Sequence, residues 1–342
     1  MNVLSVYFTN PGQVAVREER LPDPAADQVA VRASLSAISA GTEMLVYRGQ
    51  FPEALPVDAS IPALAGKFAY PLKYGYASVG RVVETGPEAG AEWRGRRVFA
   101  FQPHTGGFLA KTGELVPIPD DLSDEDAVFL ANMETAVNLI LDGAPRIGEK
   151  VVVFGQGIVG LLATALLALF PLDRLVTLDR IDRRRRASLD IGASASLDPS
   201  APETIARVFE ALGEAGEGSG ADLAYELSGS PSALDLAIGV TGYSGRVIIG
   251  SWYGTKRAPI DLGGRFHRSR MRFASSQVST IAPELSGRWT TGRRLGEAWK
   301  MLHRVKPSRL ITHRFPVEEA ASAYRLLDEE PHKAIQVLIS YE

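Results

Sequence analysis

Two hydrophobic periods divide this chain. Up to about residue 122 the period is two. Val3–Phe8 and Val14–Glu18 alternate around the turn signal Asn10-Pro11-Gly12, and Gln28–Ala37 alternates again, so the opening reads as a β-rich domain. Gly75–Thr85, Val98–Phe101 and Leu115–Ile118 are further strand-like stretches, whereas the proline-studded, aperiodic segment Gln50–Tyr74 predicts a long loop. Ala40-Gly41-Thr42-Glu43 predicts a short helix with Thr42 as its cap. Ser123-Asp124-Glu125-Asp126 forms a capping box that starts a helix running to about Asp142.

From Lys150 the pattern changes to strand, helix, strand, helix. The expected strands are 151–154, 175–178, roughly 195–197, 222–227, 246–250 and about 272–276, an alternation that implies a parallel sheet with helices on both faces. Helix Arg293–Val305, strand Ile311–Phe315, helix Val317–Asp328 and strand Ala334–Ser340 complete the chain.

Composition narrows the function classes. With 342 residues there is room for two domains, and 45% hydrophobic and 23% charged residues are ordinary for a globular protein. A net charge of −3 points away from nucleic acid. The absence of cysteine removes thiolate catalysis and cysteine-ligated metals. The opening residues lack a signal-peptide pattern, and the longest apolar run, Ile158–Phe170, is too short to span a bilayer, so a cytoplasmic protein without a membrane partner is expected.

The chain is organised around Lys150–Phe170. A buried-strand run, Val151–Phe154, leads into Gly155-Gln156-Gly157-Ile158-Val159-Gly160 and an apolar helix that Pro171 stops. In a dinucleotide site Gly155 makes the tight turn, Gly157 lets a pyrophosphate approach the backbone, and Gly160 lets the helix pack on the strand, with its N-terminus toward the phosphates. A second strand, Leu175–Leu178, ends in Asp179, where a carboxylate binds the adenosine ribose and favours NAD. Arg180 and Arg184, within or beside the run Arg183–Arg186, argue for NADP unless that run is a solvated helix start. Ser228, Gly229, Gly250, Ser251 and Trp252 follow the ends of later strands and are expected to line the nicotinamide half.

The chain resembles the medium-chain dehydrogenase/reductase superfamily over essentially its whole length. The resemblance rests on SAISAGTE (Ser36–Glu43), YGYASVGRVVETG (Tyr74–Gly86), LVPIPDDLSDEDAVFL (Leu115–Leu130), ETAVNLI (Glu134–Ile140), VVVFGQGIVG (Val151–Gly160), ELSGSPSAL (Glu226–Leu234), GRVIIGSWYG (Gly245–Gly254) and the tail Leu310–Glu330. It implies an α/β fold: a doubly wound parallel Rossmann sheet (123–277) inserted in a β-rich, barrel-like (GroES-like) catalytic domain (1–122 and 278–342), an active site in the cleft, and a homodimer. The family's zinc-ligand positions fall on Ala40, Tyr76 and Ala131, so the resemblance is to a zinc-free branch, and GTEMLVYRG and PLKYGYASVGRVV are similar to the bacteriochlorophyllide hydroxyethyl-dehydrogenase subgroup.

Without zinc a side chain must stabilise charge on the substrate oxygen or move a proton. Tyr76 stands at a ligand position, either as that group or as a core aromatic. Thr42 matches the residue that begins a proton relay, and Thr135 the one beside the nicotinamide. Glu134 faces either the cleft or solvent. Lys73 and His104 lie in loops expected to border the cleft, able to polarise a carbonyl or merely solvated. A metal site improvised from His104, Glu43 and Glu134 would lack ligand-pair spacing. Tyr47, Phe51, Phe68, Tyr70, Phe101, Phe108 and Trp252 suggest either a roomy apolar pocket or ordinary packing. The basic stretch Arg265, His267, Arg268, Arg270 and Arg272 either attracts an anionic substrate or the pyrophosphate or is a charged surface flanking the last strand, and the surface is the default reading. The expected function is zinc-independent, NAD(P)-dependent hydride transfer between the nicotinamide and a small-molecule secondary alcohol or ketone. The alternatives are an NADPH-dependent enone or quinone reductase and a non-catalytic nucleotide-binding protein.

Overall fold

The computed structural model describes residues 1–52, 56–57, 61–213 and 219–341. The expected loop Gln50–Tyr74 therefore lies partly outside the described residues. The chain forms two compact units, Met1–Ala131 with Leu302–Glu342, and Asn132–Met301.

The first unit opens with an antiparallel hairpin, β1 (Asn2–Asn10) and β2 (Gln13–Arg20), turned at Gly12 with φ +74°. β3 (Gln28–Ala37) pairs antiparallel with β4 (Ser78–Thr85), and the short helix α1 (Thr42–Tyr47) lies between them in sequence. β5 (Arg97–Ala100), β6 (Gly107–Lys111) and β7 (Leu115–Pro117) follow. β6 has no counterpart in the sequence pattern, because its five residues, Gly107 to Lys111, hold three consecutive apolar side chains and do not alternate. The expected helix 123–142 is two helices, α2 (Asp124–Ala127) and α3 (Leu130–Gly143). Ser123 caps α2 by accepting the Asp126 N–H at 3.1 Å.

In the second unit β8 (Lys150–Phe154), α4 (Ile158–Leu167), β9 (Arg174–Leu178), α5 (Asp182–Ile191), β10 (Ala195–Leu197), α6 (Thr204–Leu212), β11 (Ala221–Glu226), α7 (Ala233–Val240), β12 (Thr241–Ile249) and β13 (Arg272–Ser275) alternate as expected. They build a parallel sheet of order β10-β9-β8-β11-β12-β13. Val152, Val176, Ala224 and Val247 are fully buried, as strands covered on both faces require. β12 starts at Thr241, earlier than expected, with Ser244 held at φ +57°. The helix α8 (Thr291–Val305) leads the chain back to the first unit. There β14 (Ile311–Pro316), α9 (Ala320–Glu329) and β15 (Gln336–Ser340) complete a sheet of order β14-β15-β3-β4-β5-β7, with β6 paired to β3. The whole is the expected α/β architecture: a parallel Rossmann sheet and an antiparallel-rich β unit. No helix among the described residues is long and apolar enough to cross a membrane.

The largest buried polar side chain is held by several hydrogen bonds. In the second unit Arg294 is 1% exposed. Its Nε and one terminal nitrogen donate to Glu134 Oε1 at 3.0 and 2.9 Å. The other reaches Asn138 Oδ1 at 2.6 Å and the Thr280 carbonyl at 2.9 Å, and the Val278 carbonyl accepts a further bond. One guanidinium thus joins α3 to the segment before α8. Removing one partner of such a pair strands a buried charge, so Arg294→Met should lower unfolding free energy by about 3–5 kcal/mol in urea denaturation, and Arg294→Met with Glu134→Leu should recover most of it.

Candidate functional site

The glycine turn after β8 gives each glycine a different task. Gly155 has φ +88°, and a Cβ there would lie 2.5 Å from Ser228 Cα, so both backbone angle and approach exclude a side chain. A Cβ on Gly160 would fall 1.9 Å from the Gly155 carbonyl oxygen. At Gly157 a Cβ would meet nothing within 4 Å, so this glycine leaves open space above the backbone. α4 starts at Ile158 without a side-chain cap, leaving first-turn N–H groups of the Ile158–Gly160 stretch for an anion. Gln156 braces the turn from inside: its Nε2 donates to the Gly155 carbonyl at 3.1 Å and its Oε1 accepts the Thr164 hydroxyl at 3.0 Å. Ile158 is buried and Val159 half-buried.

Asp179 ends β9 and ties the turn to it. Oδ2 accepts the Gln156 N–H at 2.7 Å and Oδ1 the Ile181 N–H at 2.8 Å. Each carboxylate oxygen keeps a further lone pair for a ligand hydroxyl. The arginine run is not a uniformly solvated helix start. Arg183 and Arg186 are exposed, but Arg184 packs inward, where burial pulls its pKa down and the Asp179 charge opposes that shift. Arg185 donates to the carbonyls of Asp179 and Arg180 at 2.8 and 2.9 Å, and the Arg180 side chain is exposed. Open space at Gly157, free helix N–H groups and a carboxylate at the next strand end fit a dinucleotide.

Beyond β11 and β12 the expected residues mostly hold loops together. Gly229 N–H donates to Ser251 Oγ at 2.9 Å. The fully buried Glu226, which the sequence reading passed over, accepts the Ser228 N–H at 2.8 Å, the Ser228 hydroxyl, and the Tyr253 hydroxyl at 2.5 Å. Burial and that carboxylate push the Tyr253 pKa far up. A Cβ on Gly250 would lie 2.6 Å from Leu227 Cδ2. Trp252 is 37% exposed, and Thr135 is half-buried on α3.

The first unit carries a hydroxyl cluster. The Tyr76 hydroxyl donates to Ser39 Oγ at 2.5 Å and lies 3.4 Å from Thr42 Oγ1. Tyr76 and Thr42 are half-buried. Ser39 is a member that sequence reasoning missed, because its hydroxyl partner lies 37 residues on. Thr42 does not cap α1. Gly41 holds the cap position with no side-chain bond, and Glu43 reaches back to accept the Ser39 N–H at 2.8 Å.

Other expected residues are placed differently. His104 is fully buried, with Nδ1 2.6 Å from Ser36 Oγ and Nε2 2.9 Å from Glu43 Oε2, so it does not border solvent or polarise a bound carbonyl. Glu134 does not face solvent: it is buried, and Arg294 holds its carboxylate. Lys73 pairs with Glu19 at 3.1 Å. The aromatics mainly pack. Phe51 and Phe68 stack at 4.3 Å, and Tyr47 and Phe108 are buried. Arg265 donates to the carbonyls of Thr241 and Ser219, so it is structural and not part of a free charged surface. For a metal, alanines 40 and 131 offer no donor, and the Tyr76 phenol is engaged with Ser39. Among the described residues no group of three or more His, Cys, Asp or Glu could hold a metal ion.

A parallel Rossmann unit with this turn and an antiparallel-rich β unit are the two parts of the alcohol dehydrogenase-like fold, and the relatives of the chain are alcohol dehydrogenase-like oxidoreductases. Residues 159–287 match the model of the zinc-binding dehydrogenase family. The chain is 26% identical over 353 residues to 2-desacetyl-2-hydroxyethyl bacteriochlorophyllide A dehydrogenase of Cereibacter sphaeroides, covering 97% of this chain and 96% of that protein. Among solved structures, rspB of E. coli CFT073, a short chain alcohol dehydrogenase complexed with NADH, superposes with a TM-score of 0.78 at 20% identity over 99% of both chains. A putative zinc-binding dehydrogenase of Sinorhizobium meliloti bound to NADP gives a TM-score of 0.75 at 19% identity over 99% of both chains.

The glycine geometry separates binding from folding. Gly157→Ala should change stability by no more than about 1 kcal/mol, yet raise the NADH dissociation constant roughly tenfold or more, a loss of about 1.4 kcal/mol, in a tryptophan-quenching titration. Gly160→Ala should instead lower the melting temperature, because its Cβ meets backbone.

Proposed function

We propose that this chain is a zinc-independent, NAD-dependent dehydrogenase that interconverts a secondary alcohol and a ketone, with Tyr76 as the proton-transferring group. The observation that carries the reading is the Tyr76 hydroxyl bonded to Ser39 Oγ and beside Thr42 Oγ1. It stands at a position matched to a zinc ligand, while the other two matched positions hold alanine.

NAD, when bound, takes a hydride from the alcohol carbon. The residues of the chain handle the rest. Gly157 and the start of α4 receive the pyrophosphate, and Asp179 takes the ribose hydroxyls and repels a 2′-phosphate. In the oxidising direction Tyr76, as the phenolate, accepts the proton of the substrate hydroxyl and becomes the phenol, which returns the proton to solvent after the ketone leaves; in the reducing direction its O–H protonates the developing alkoxide and the phenolate is left to be reprotonated from solvent. Ser39 and Thr42 hold the phenol oxygen in a polar setting that suits either form. The named relative acts on a hydroxyethyl group, which is a secondary alcohol, and this supports the substrate class. None of the relatives reported above is named as an enone or quinone reductase.

The test is a screen of secondary alcohols with NAD, using chelator-treated, metal-analysed protein. Turnover should persist without metal. Tyr76→Phe should lower kcat by about 10²–10⁴ with little change in melting temperature. Activity lost on chelation and restored by zinc, or full activity in Tyr76→Phe, would overturn the reading. NADPH preferred over NADH would overturn the role given to Asp179.

A further inference from the structure

We propose that the buried Glu43–His104 pair aims the Tyr76 hydroxyl, so that both are positioning residues for the proton-transferring group. The proposal rests on the reading of Tyr76 above. Two separate connections run from the pair to Tyr76. In the first, Glu43 Oε1 accepts the Ser39 N–H at 2.8 Å, and Ser39 Oγ accepts the Tyr76 hydroxyl at 2.5 Å. In the second, the His104 imidazole forms the floor under the residue before Tyr76. Gly75 has φ +120°, and a Cβ on it would lie 2.8 Å from His104 Cδ2 and Nε2. The backbone N–H of His104 donates to the Tyr74 carbonyl at 3.2 Å, which keeps the imidazole-bearing residue beside this stretch. The pair therefore fixes both the backbone that carries the phenol and the acceptor that the phenol meets.

The pair is itself held on every side. Facing a carboxylate, His104 Nε2 carries the ring proton, so Nδ1 accepts the Ser36 hydroxyl at 2.6 Å and Ser36 Oγ in turn accepts the Tyr341 hydroxyl at 2.7 Å. The Tyr324 hydroxyl bonds Glu43 Oε2. Ser36, Glu43, His104 and Tyr324 are all 0% exposed. Substrate cannot reach them, which excludes a direct chemical role. A buried network kept for stability alone is replaceable by apolar side chains at little cost. An apolar side chain could not fix the Ser39 N–H or set the direction of a phenol hydrogen bond.

The experiment labels tyrosine at 13Cζ and reads the Tyr76 resonance, assigned by its loss in Tyr76→Phe, in the substrate-free protein. Glu43→Leu should move that resonance and lower kcat roughly tenfold or more with KM within about twofold. Glu43→Gln keeps an acceptor for Ser39 and should restore the native resonance. Tyr324→Phe removes a donor to the same carboxylate but lies on neither connection, so it should lower the melting temperature and leave the resonance in place. Should Glu43→Leu not fold, Gly75→Ala displaces the imidazole and should also move the resonance. An unmoved Tyr76 resonance in folded Glu43→Leu or Gly75→Ala overturns the proposal whatever the turnover. Full turnover in Tyr76→Phe overturns the catalytic reading instead, a result the resonance measurement cannot produce.

Discussion

A carboxylate with no access to water must be met by donors or be costly, and much of the first unit follows from how Glu43 meets that demand. Its donors lie 4, 61 and 281 residues away in sequence, on Ser39, His104 and Tyr324. Satisfying them sets the end of β3, the start of α1, the segment before β6 and the returning helix α9 against one another. The apolar core then closes around the same point. Tyr324 packs edge-on against Phe8 at 5.0 Å and stacks on Tyr47 at 5.7 Å. A polar centre inside an aromatic shell is directional in a way the shell alone is not, because hydrogen bonds fix angles as well as distances.

The second unit uses close backbone approach for the same end. Gly155 and Gly160 allow β8, α4 and the Leu227–Ser228 loop to touch where any side chain would collide. The buried carboxylates there serve loops at strand ends: Asp179 gathers the Gln156 and Ile181 N–H groups, and Glu226 gathers Ser228 and Tyr253. Acids at the carboxyl ends of parallel strands therefore have two duties. They meet backbone donors that the turn would otherwise leave orphaned, and they present remaining lone pairs toward the side where ligands bind in such sheets.

What could be read from sequence was local. The three glycines, Asp179 after its strand, the Ser123 cap and the alternation of β3 each depend on neighbours within a few residues, and periodicity or spacing reports them. The roles of Glu134 and His104 did not emerge, because Arg294 lies 160 residues from the one and Glu43 lies 61 from the other. A lone acid in a helix and a lone histidine in a loop look solvated until their partners are known. The Thr42 cap failed for a subtler reason. A threonine at a helix start is a sound signal, but here the longer Glu43 side chain reaches back and takes the donor. The aromatics read as a possible pocket were short of the same information, since ring stacking joins residues such as Phe51 and Phe68 across a segment without periodicity.

The two readings of the first unit bear on each other through the physics of an electrophile. A metal cation stabilises charge on a substrate oxygen from any direction within its coordination shell, and its ligands hold it by several converging bonds. A phenol does so only along its O–H, over a narrow range of angle and at about 2.7 Å. A site that relies on a hydroxyl must therefore put into orientation what a metal site puts into charge. Apart from Tyr76, the positions matched to zinc ligands here hold small apolar side chains. The hydrogen bonds lie one layer behind these positions, among Ser36, Ser39, Glu43, His104, Tyr324 and Tyr341. Such an arrangement is what a hydroxyl in place of a cation would demand. Under the proposed role of Tyr76, the full burial of Ser36, Glu43, His104 and Tyr324 would serve it, since water admitted there would compete for the donors that hold the phenol in line.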